Sequence, residues 1–352
     1  MTDDLGPLAA RVPEALRGSA AYHVPLPATV TAKLDANELP FAWPAELRAE
    51  LGAVLAEVAL ERYPDPRAAR LRAVVANQLG VAGDQLVFGN GSDELIAMLA
   101  NAFAGPVLYP TPSFVYYRHA AIARGVPPIE VPLGAAFELD ELAMVKAIES
   151  ERPSIVFLAL PNNPTGTLWR MSFALELAAR FRDTVIVSDE AYVVYSGKTN
   201  LPELPDHPNL VVMRTLSKLG MAGLRVGYTI SSRALAGVLE KVRPPYNVSA
   251  LDQRAAEVLL VEGAAWCAAR AAEVVAERAK LAEALAARGL EVFASEANLL
   301  LVRFTDGQAV WKRLADTGIS VRSFGDVGAL ANCLRITVGT TAENARLLAV
   351  LP

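Results

Sequence analysis

The sequence predicts an α/β fold in which a mostly parallel sheet is sandwiched between helices, followed by a smaller α+β domain. Two observations lead to this prediction. Between Leu86 and Met213, short runs of β-branched and apolar residues alternate with helical patterns, and this alternation is typical of a parallel sheet covered on both faces. After about Tyr246 the chain changes to long alanine-rich helices with shorter strands, which indicates a second unit of different architecture.

The N-terminal part of the chain, residues 1–43, is interpreted as an extended arm that packs with the small domain. It is rich in proline and has little helical periodicity, and proline favours turns and extended backbone. Helical patterns follow at Pro44–Leu60 and at Ala68–Leu79, and Gly80 closes the second of them.

Residues 44–245 are predicted to form the large domain. Its strands are short and largely β-branched or apolar; they are Leu86–Phe88, Val107–Tyr109, Ile129–Val131, Ile155–Leu160, Val185–Ser188 and Leu210–Met213. Helical segments separate most of them and include Asp93–Phe103, Glu141–Glu149 and Ser172–Phe181.

Residues 246–352 are predicted to form the small C-terminal domain, with the boundary near Arg243-Pro-Pro-Tyr246. Two long helical patterns come first, at Leu251–Leu260 and Ala264–Arg288. Strands are expected at Leu299–Phe304 and Leu334–Val338.

Composition narrows the classes of function. With 352 residues, a net charge of −5 and basic and acidic residues interspersed, no broad basic surface for nucleic acid is expected. No apolar run has the length to cross a bilayer, and the start of the chain lacks the pattern of a secretory signal. The two cysteines lie far apart and suggest neither a disulfide framework nor a metal site. A cytoplasmic protein that binds no metal is therefore expected.

A lysine, a hydroxyl and an arginine lie together in the glycine-containing segment after the strand Leu210–Met213. Lys218 follows Ser217 directly, and Arg225 comes seven residues later. An amine condenses with an aldehyde, while a hydroxyl and a guanidinium hold a phosphate. A single lysine is usually solvated surface, but this combination suits a cofactor that carries both groups, as pyridoxal phosphate does.

Polar residues follow three successive predicted strands. Ile155–Leu160 runs into Pro161-Asn-Asn-Pro-Thr-Gly166, and Val185–Ser188 runs into Asp189-Glu-Ala-Tyr192. Leu210–Met213 runs into the segment that contains Lys218. Taken singly, the first is a turn signal and the second an ordinary solvated strand end. Because ligands bind at the carboxyl ends of parallel strands, the three together predict one site.

These motifs resemble those of the fold-type I pyridoxal-phosphate aminotransferases, and within them the histidinol-phosphate aminotransferases. The resemblance covers nearly the whole chain. Further matching segments are Lys33-Leu-Asp-Ala36 with Glu38, Arg62-Tyr-Pro-Asp-Pro66, Gly89-Asn-Gly-Ser-Asp-Glu-Leu-Ile96, Arg243-Pro-Pro-Tyr-Asn247, Ser295 with Ala297-Asn298, and Leu334-Arg-Ile-Thr-Val-Gly-Thr340. It implies transamination of L-histidinol phosphate with 2-oxoglutarate, in histidine biosynthesis.

The resemblance implies roles for residues around the cofactor ring. Lys218 would bond to the cofactor aldehyde and move a proton during the reaction. Asp189 would pair with the pyridine nitrogen, and Asn163 and Tyr192 would donate to the phenolic oxygen. Phe114 would stack on the ring, although a phenylalanine at this place is equally compatible with ordinary core packing.

The resemblance also implies residues for the two anionic ends of the reactants. The cofactor phosphate would lie at the positive end of a helix, held by Ser92, Asp93, Glu94, Thr215, Ser217 and Arg225, with the two acidic residues contributing backbone amides. Tyr63 would reach the phosphate in the other subunit of a homodimer. Substrate contacts are assigned to Arg335, Arg322, Tyr22 and Asn163, with Tyr246 and Asn247 as further candidates.

Two departures from the family pattern leave room for other substrates. Leu39 stands where the family has asparagine, and the spacing from Lys218 to Arg225 is one residue shorter than in many relatives. The alternatives are an aromatic amino-acid aminotransferase, a phosphothreonine decarboxylase and a non-enzymatic, pyridoxal-phosphate-sensing regulator. The last carries a DNA-binding domain before the cofactor domain, and no such pattern precedes Pro44.

Overall fold

Two β-sheets organise the chain in the computed structural model, which describes residues 6–17 and 29–351. The strands of these residues are β1 (Ala32–Leu34), β2 (Leu86–Asn90), β3 (Val107–Thr111), β4 (Pro128–Pro132), β5 (Ile155–Ala159), β6 (Val185–Asp189), β7 (Leu210–Thr215), β8 (Val226–Ser231), β9 (Glu291–Val292), β10 (Leu299–Arg303), β11 (Ile319–Ser323) and β12 (Cys333–Thr337).

The helices alternate with the strands of the large sheet and cluster after it. They are α1 (Glu14–Arg17), α2 (Ala45–Ala56), α3 (Ala69–Leu79), α4 (Gly91–Ala102), α5 (Tyr116–Arg124), α6 (Glu141–Glu151), α7 (Ser172–Arg180), α8 (Val193–Ser196), α9 (Arg233–Val242), α10 (Ala250–Glu262), α11 (Ala264–Ala286), α12 (Gly307–Asp316) and α13 (Thr341–Val350). Short 3-10 turns connect several of these elements.

The large sheet has seven strands in the order β2-β8-β7-β6-β5-β3-β4. All neighbours are parallel except the pairs that involve β8, which is antiparallel to both β2 and β7. Asp189 at the end of β6 lies opposite Ala159 on β5 and Met213 on β7. The carboxyl ends of these three strands therefore meet at one edge of the sheet.

Both faces of the large sheet are buried, as its continuous apolar strands require. Along β5, Ile155 and Phe157 belong to one hydrophobic cluster, whereas Val156 and Leu158 belong to another on the opposite face. Successive side chains of a strand point to opposite faces, so each cluster fills one of the two interfaces between sheet and helices.

The small sheet has five strands in the order β1-β11-β12-β10-β9. Its edge strand β1 comes from the N-terminal part of the chain and pairs in parallel with β11, with Ala32 opposite Ile319. Its remaining pairs are antiparallel. Leu34 packs in the core of this sheet together with Leu285 from α11 and Leu314 from α12.

The helix α10 packs into the hydrophobic core on one face of the large sheet. Ala256, Leu259 and Leu260 belong to the same hydrophobic cluster as Leu71 and Val75 of α3. The division of the chain after residue 245 therefore stays a prediction, since alanine-rich composition does not distinguish helices of one layer from those of the other.

The predicted α/β architecture is confirmed, but several elements differ from the prediction. The helix expected over Pro44–Leu60 ends at Ala56, because Leu60 lies 73% exposed and has no core to pack against. The strands β1, β8, β9 and β11 were not predicted. In β8 the reason is Gly227, since glycine lowers the strand signal. Within the described residues, no helix combines the length and apolarity needed to cross a membrane.

Candidate active site

A cavity of about 390 Å³ lies at the carboxyl edge of the large sheet. Residues from both sheets and from the segment after β1 line it. The lining includes Ser92, Asp93, Phe114, Asn163, Asp189, Tyr192, Thr215, Ser217, Lys218, Arg225, Arg322 and Arg335. Residues that follow β5, β6 and β7, the three strand ends noted in the sequence, thus line one site. Arg322 and Arg335 of the small sheet complete it.

Lys218 is held by the short turn that follows β7. The turn begins at Thr215, whose Oγ1 accepts from the backbone N–H of Ser217 at 3.2 Å. The hydroxyl of Tyr195 donates to the Lys218 carbonyl at 2.6 Å, and Lys218 Nζ donates to the carbonyl of Ala36 at 3.4 Å. The backbone is therefore fixed, while the amine reaches into the cavity.

Burial lowers the pKa of Lys218 to about 8, and the positive charges of Arg335 and Arg225 act in the same direction. Glu38 opposes this shift. Because the neutral amine is the nucleophilic form, a lysine with this pKa can attack a carbonyl carbon near neutral pH.

Asp189 is buried at the carboxyl end of β6. The hydroxyl of Tyr117 donates to its Oδ2 at 2.6 Å, and the backbone N–H of Ala191 donates to its Oδ1 at 3.1 Å. Burial raises the pKa of Asp189 to about 6; the two hydrogen bonds oppose that shift, and the negative charges of Glu190 and Asp93 add to it. A cation placed beside this buried carboxyl group would favour its ionised form.

Two polar side chains beside Lys218 are oriented by partners from the small sheet and the segment after β1. The amide of Asn37 donates to the hydroxyl oxygen of Tyr192 at 2.8 Å, and Arg335 donates to Oδ1 of Asn163 at 2.7 Å. The ring centroid of Tyr192 lies 5.7 Å from Lys218 Nζ. These contacts tie the small sheet to the edge of the large one.

An anion-binding corner lies at the start of α4. The residue before this helix, Asn90, makes no side-chain capping hydrogen bond, so its side chain does not occupy the first-turn amides. Ser92 and Asp93 of the first turn line the cavity, as do Ser217 and Arg225. Arg225 forms an ion pair with Asp93 at 3.1 Å, and Thr215 donates to the hydroxyl of Ser217 at 3.0 Å.

Two glycines allow this corner to form. A Cβ at Gly91 would lie 2.6 Å from Nη2 of Arg225, and the φ of Gly91 is +76°. A Cβ at Gly227 would lie 2.9 Å from the carbonyl carbon of Gly91. Only glycine therefore lets β8 pack against the start of α4 while Arg225 lies over it.

Arg322 and Arg335 lie opposite each other on β11 and β12, and both line the cavity. Arg335 also donates to the carbonyl oxygen of Asp35. Two neighbouring guanidinium groups form a binding surface for a carboxylate or a phosphate.

Some of the sequence-predicted residues do not line this cavity. The carboxylate of Glu94 instead accepts from the amide of Asn247 and from the backbone N–H of Asn90, both at 2.6 Å. Tyr63 lies 80% exposed and stacks on Tyr246, with ring centroids 4.6 Å apart. Tyr22 lies outside the described residues.

Leu39, the departure from the family pattern, is buried in a hydrophobic cluster with Tyr192 and Tyr195. Leu39 therefore supports Tyr192 and Tyr195 through apolar packing, whereas the asparagine of the family could make a polar contact.

Tyr117 and Asn37 are among the cavity residues that the sequence did not predict as site residues. Tyr117 lies on α5 at helical spacing from the buried Ala120 and Ala121, and this spacing is that of an ordinary core residue. Asn37 lies inside a segment already noted for its likeness to the family; its φ of +54°, a conformation that asparagine tolerates better than most residues, is not visible in a one-letter pattern.

The chemistry of the cavity suits a planar, phosphorylated aldehyde. Arg225, the hydroxyls of Thr215 and Ser217 and the first turn of α4 provide a phosphate site at one end. Asp189 provides a buried carboxyl group for a ring cation, and Lys218 provides the amine. These residues fit pyridoxal phosphate, and with the α/β fold they define an enzyme that uses this cofactor.

Comparisons with known proteins agree with that class. The family model for aminotransferases of class I and II matches residues 30–351. Histidinol-phosphate aminotransferase 1 of Burkholderia lata is 45% identical over 337 residues, and histidinol-phosphate aminotransferase 2 of Burkholderia pseudomallei is 46% identical over 340 residues; each match covers 94% of this chain and 94% of the relative. The chain belongs to the class I and II aminotransferase family.

A solved structure supports the same conclusion. The histidinol-phosphate aminotransferase of Sinorhizobium meliloti in complex with pyridoxal 5′-phosphate superposes with a TM-score of 0.84 and 26% identity, covering 92% of this chain and 90% of that one. The protein is a pyridoxal-phosphate-dependent aminotransferase of fold-type I, which confirms the predicted fold class, enzyme class and cofactor.

Proposed function

We propose that this enzyme transfers the amino group of L-histidinol phosphate to 2-oxoglutarate, a step of histidine biosynthesis. The observation that carries the proposal is the pair Arg322 and Arg335, opposite each other on neighbouring strands and lining the same cavity as Lys218. The names of the similar curated proteins supply the substrate. A guanidinium group binds carboxylate and phosphate alike. L-histidinol phosphate carries a phosphate, whereas 2-oxoglutarate carries carboxylates.

Lys218 is proposed as the catalytic base. Pyridoxal phosphate, when bound, accepts the electron pair of the substrate Cα–H bond and carries the amino group between the two substrates. Lys218 would hold the cofactor by its aldehyde carbon and, once displaced by substrate, move a proton between the substrate Cα and that carbon. Its pKa of about 8 supports this role, because a base works best near the pH at which the enzyme operates.

Residues around the ring would set the cofactor's charge distribution. Asp189 would accept from the protonated pyridine nitrogen, a role that its buried carboxyl group supports. Tyr192 and Asn163 would donate to the phenolic oxygen, and Phe114, which lines the cavity, would stack on the ring. Tyr192 is well placed to donate, since its own oxygen already accepts from Asn37.

The phosphate would be held at the start of α4. Ser217, Thr215, Arg225 and Ser92 would bind its oxygens through hydroxyl and guanidinium groups. Asp93 and Glu94 would contribute backbone N–H groups alone, because a carboxylate repels a phosphate. The ion pair of Arg225 with Asp93 would then be loosened by the cofactor.

The substrate's distal anion is assigned to the two arginines. Arg335 would bind the carboxylate of glutamate or of 2-oxoglutarate, and Arg322 would add a second fork for the phosphate of histidinol phosphate. Asn163 would lie between substrate and cofactor, supported by its hydrogen bond from Arg335. Tyr22 is proposed as a further contact on the family resemblance alone.

A homodimer is proposed as the functional unit. Tyr63 lies 80% exposed and stacks on Tyr246, and two exposed stacked aromatic rings are a typical anchor of an interface between subunits. In this arrangement Tyr63 would donate to the phosphate bound by the partner subunit.

The half-reaction without keto acid tests the proposal. The yellow holoenzyme is mixed with L-histidinol phosphate, and the cofactor absorbance is followed in a stopped-flow instrument. We expect conversion to the pyridoxamine form, reversed by 2-oxoglutarate. Much faster conversion by L-phenylalanine or L-tyrosine would favour an aromatic amino-acid aminotransferase, and release of carbon dioxide from phosphothreonine would favour a decarboxylase.

A further inference from the structure

The hydroxyl of Tyr117 forms a buried hydrogen bond with the carboxyl group of Asp189. Tyr117 lies in the first turn of α5 and is fully buried. It donates to Oδ2 of Asp189 at 2.6 Å, and the N–H of Ala191 donates to Oδ1. Each carboxylate oxygen has a second lone pair, so both remain able to accept from a ligand.

The surroundings of Asp189 make this hydrogen bond important. Its neighbours across the sheet, Ala159 and Met213, are apolar. The negative charges of Glu190, which is paired with Arg214, and of Asp93, which is paired with Arg225, act on this carboxyl group. The cations Lys218 and Arg335 line the same cavity. The phenol of Tyr192 faces the same region. In the part of the chain that the structure describes, Tyr117 is the one side chain that donates to Asp189.

The ring of Tyr117 is fixed in place by aromatic contacts. It stacks on Phe157 with ring centroids 4.5 Å apart and an angle of 10° between the planes. It meets Phe114 edge-on at 5.7 Å and Tyr109 at 5.8 Å. The hydroxyl therefore has little freedom to turn away, and its direction is set by the core rather than by solvent.

We propose that Tyr117 is a positioning residue that keeps Asp189 ionised and directed at the pyridine nitrogen of the cofactor. This inference rests on the proposed role of Asp189. A carboxyl group between apolar strands and acidic neighbours favours its neutral form, and the neutral form cannot accept from a pyridine cation with the strength of a charged pair. The phenol counteracts this tendency because it donates to the ionised form.

The test is the affinity of the cofactor-free protein for pyridoxal phosphate across pH 6–8.5, for Tyr117→Phe and for the control Tyr109→Phe. Both changes remove one buried phenol hydroxyl and keep the ring, and the hydroxyl of Tyr109 donates to Glu130, away from the cavity, at 2.8 Å. We expect Tyr117→Phe to weaken binding roughly tenfold at pH 7.5, with a larger loss at lower pH, and Tyr109→Phe to leave it unchanged.

A second measurement separates an effect on Asp189 from a general loss of structure. The stability of the cofactor-free protein is measured against pH for Tyr117→Phe, Asp189→Asn and the double variant. We expect the pH-dependent part of the Tyr117→Phe effect to vanish in the Asp189→Asn background. Equal losses in the two phenylalanine variants, or a loss that does not depend on pH, would overturn the inference.

The two readouts do not depend on the amino donor. Should the half-reaction with histidinol phosphate fail while cofactor binding follows the expected pattern, the substrate proposal falls and the role of Tyr117 stands. Failure of the unchanged protein to bind pyridoxal phosphate would overturn both.

Discussion

Asn37 donates from its side-chain amide to the hydroxyl oxygen of Tyr192 at 2.8 Å. Since the amide is the donor, the proton of Tyr192 is free to point into the cavity. Asn37 is itself held by Thr337 on β12, whose hydroxyl accepts from the Asn37 N–H at 2.9 Å. The small sheet therefore fixes the hydrogen bond that orients the hydroxyl of Tyr192, a residue that lines the cavity.

Replacement of Asn37 by glycine should impair this donation. Glycine tolerates the φ of +54° at this position, so the backbone is kept while the amide is lost. We expect the pKa of the imine that links Lys218 to the bound cofactor to rise by roughly one unit. This pKa is followed by the cofactor absorbance against pH. In the control Asn209→Ala, which removes a buried amide remote from the cavity, the same titration should not change.

Asp189→Asn should stabilise the cofactor-free protein while impairing the enzyme. The pKa of Asp189 rises from 3.8 to about 6 on folding, so the folded chain binds this proton more tightly, and stability falls as the pH rises from 3.8 to about 6. Above that range the asparagine variant should be more stable by about 1–3 kcal/mol, whereas below pH 4 the two proteins should be equal.

The measurement is urea unfolding at several pH values, beside the transamination rate. We expect that rate to fall roughly 100- to 1,000-fold. An asparagine variant that is less stable at pH 7.5 would contradict the assigned cause of the shift.

Covalent attachment of pyridoxal phosphate should follow the deprotonation of Lys218. Burial and nearby guanidinium groups lower the pKa of Lys218 to about 8. We expect the attachment rate, measured by stopped-flow absorbance, to rise about tenfold per pH unit below pH 8 and to level off above it. Arg335→Gln should move this midpoint upward, because it removes a positive charge, and Lys218→Ala should abolish attachment. A rate that still rises at pH 10 would contradict the lowered pKa.

The ion pair of Glu190 and Arg214 should be important for stability. Nη2 of Arg214 lies 2.9 Å from Oε2 of Glu190, and both side chains are buried. Glu190→Gln would leave the guanidinium without its charge partner, which costs about 3–5 kcal/mol in comparable buried pairs. The control Asp84→Asn breaks the exposed pair with Arg233 and should leave the urea midpoint unchanged. Similar midpoints for the two variants would show that the buried pair is dispensable.

If the enzyme is the proposed homodimer, hybrid dimers test whether Tyr63 acts in its own subunit or in the partner subunit. In a dimer of one Lys218→Ala and one Tyr63→Ala subunit, action across the interface leaves one site with both residues intact. We expect such hybrids to recover about half of the unchanged activity, because a twofold dimer has two equivalent sites. Should Tyr63 act within its own subunit, both sites would be impaired and no intact site would appear.

The sequence predicted many of the residues that line the candidate site, because these residues are local to strand ends. Asn163, Asp189 and Lys218 each follow an apolar run, and adjacent parallel strands bring such positions together. Asn37 and Tyr117 could not be found in the same way. Their importance depends on which side chain lies opposite them across two elements distant in sequence, and a residue pattern along one element does not contain that information.

The strand β1 pairs residues 32–34 with residues 319–321. During translation, every strand of the large sheet has been synthesised once Ser231 has left the ribosome. The apolar side chain of Leu34, in contrast, can be buried only after β11 has been synthesised. The nascent chain thus carries Asp189 and Lys218 on a sheet whose strands are complete, while the arginines proposed to select the substrate are synthesised only later, on β11 and β12.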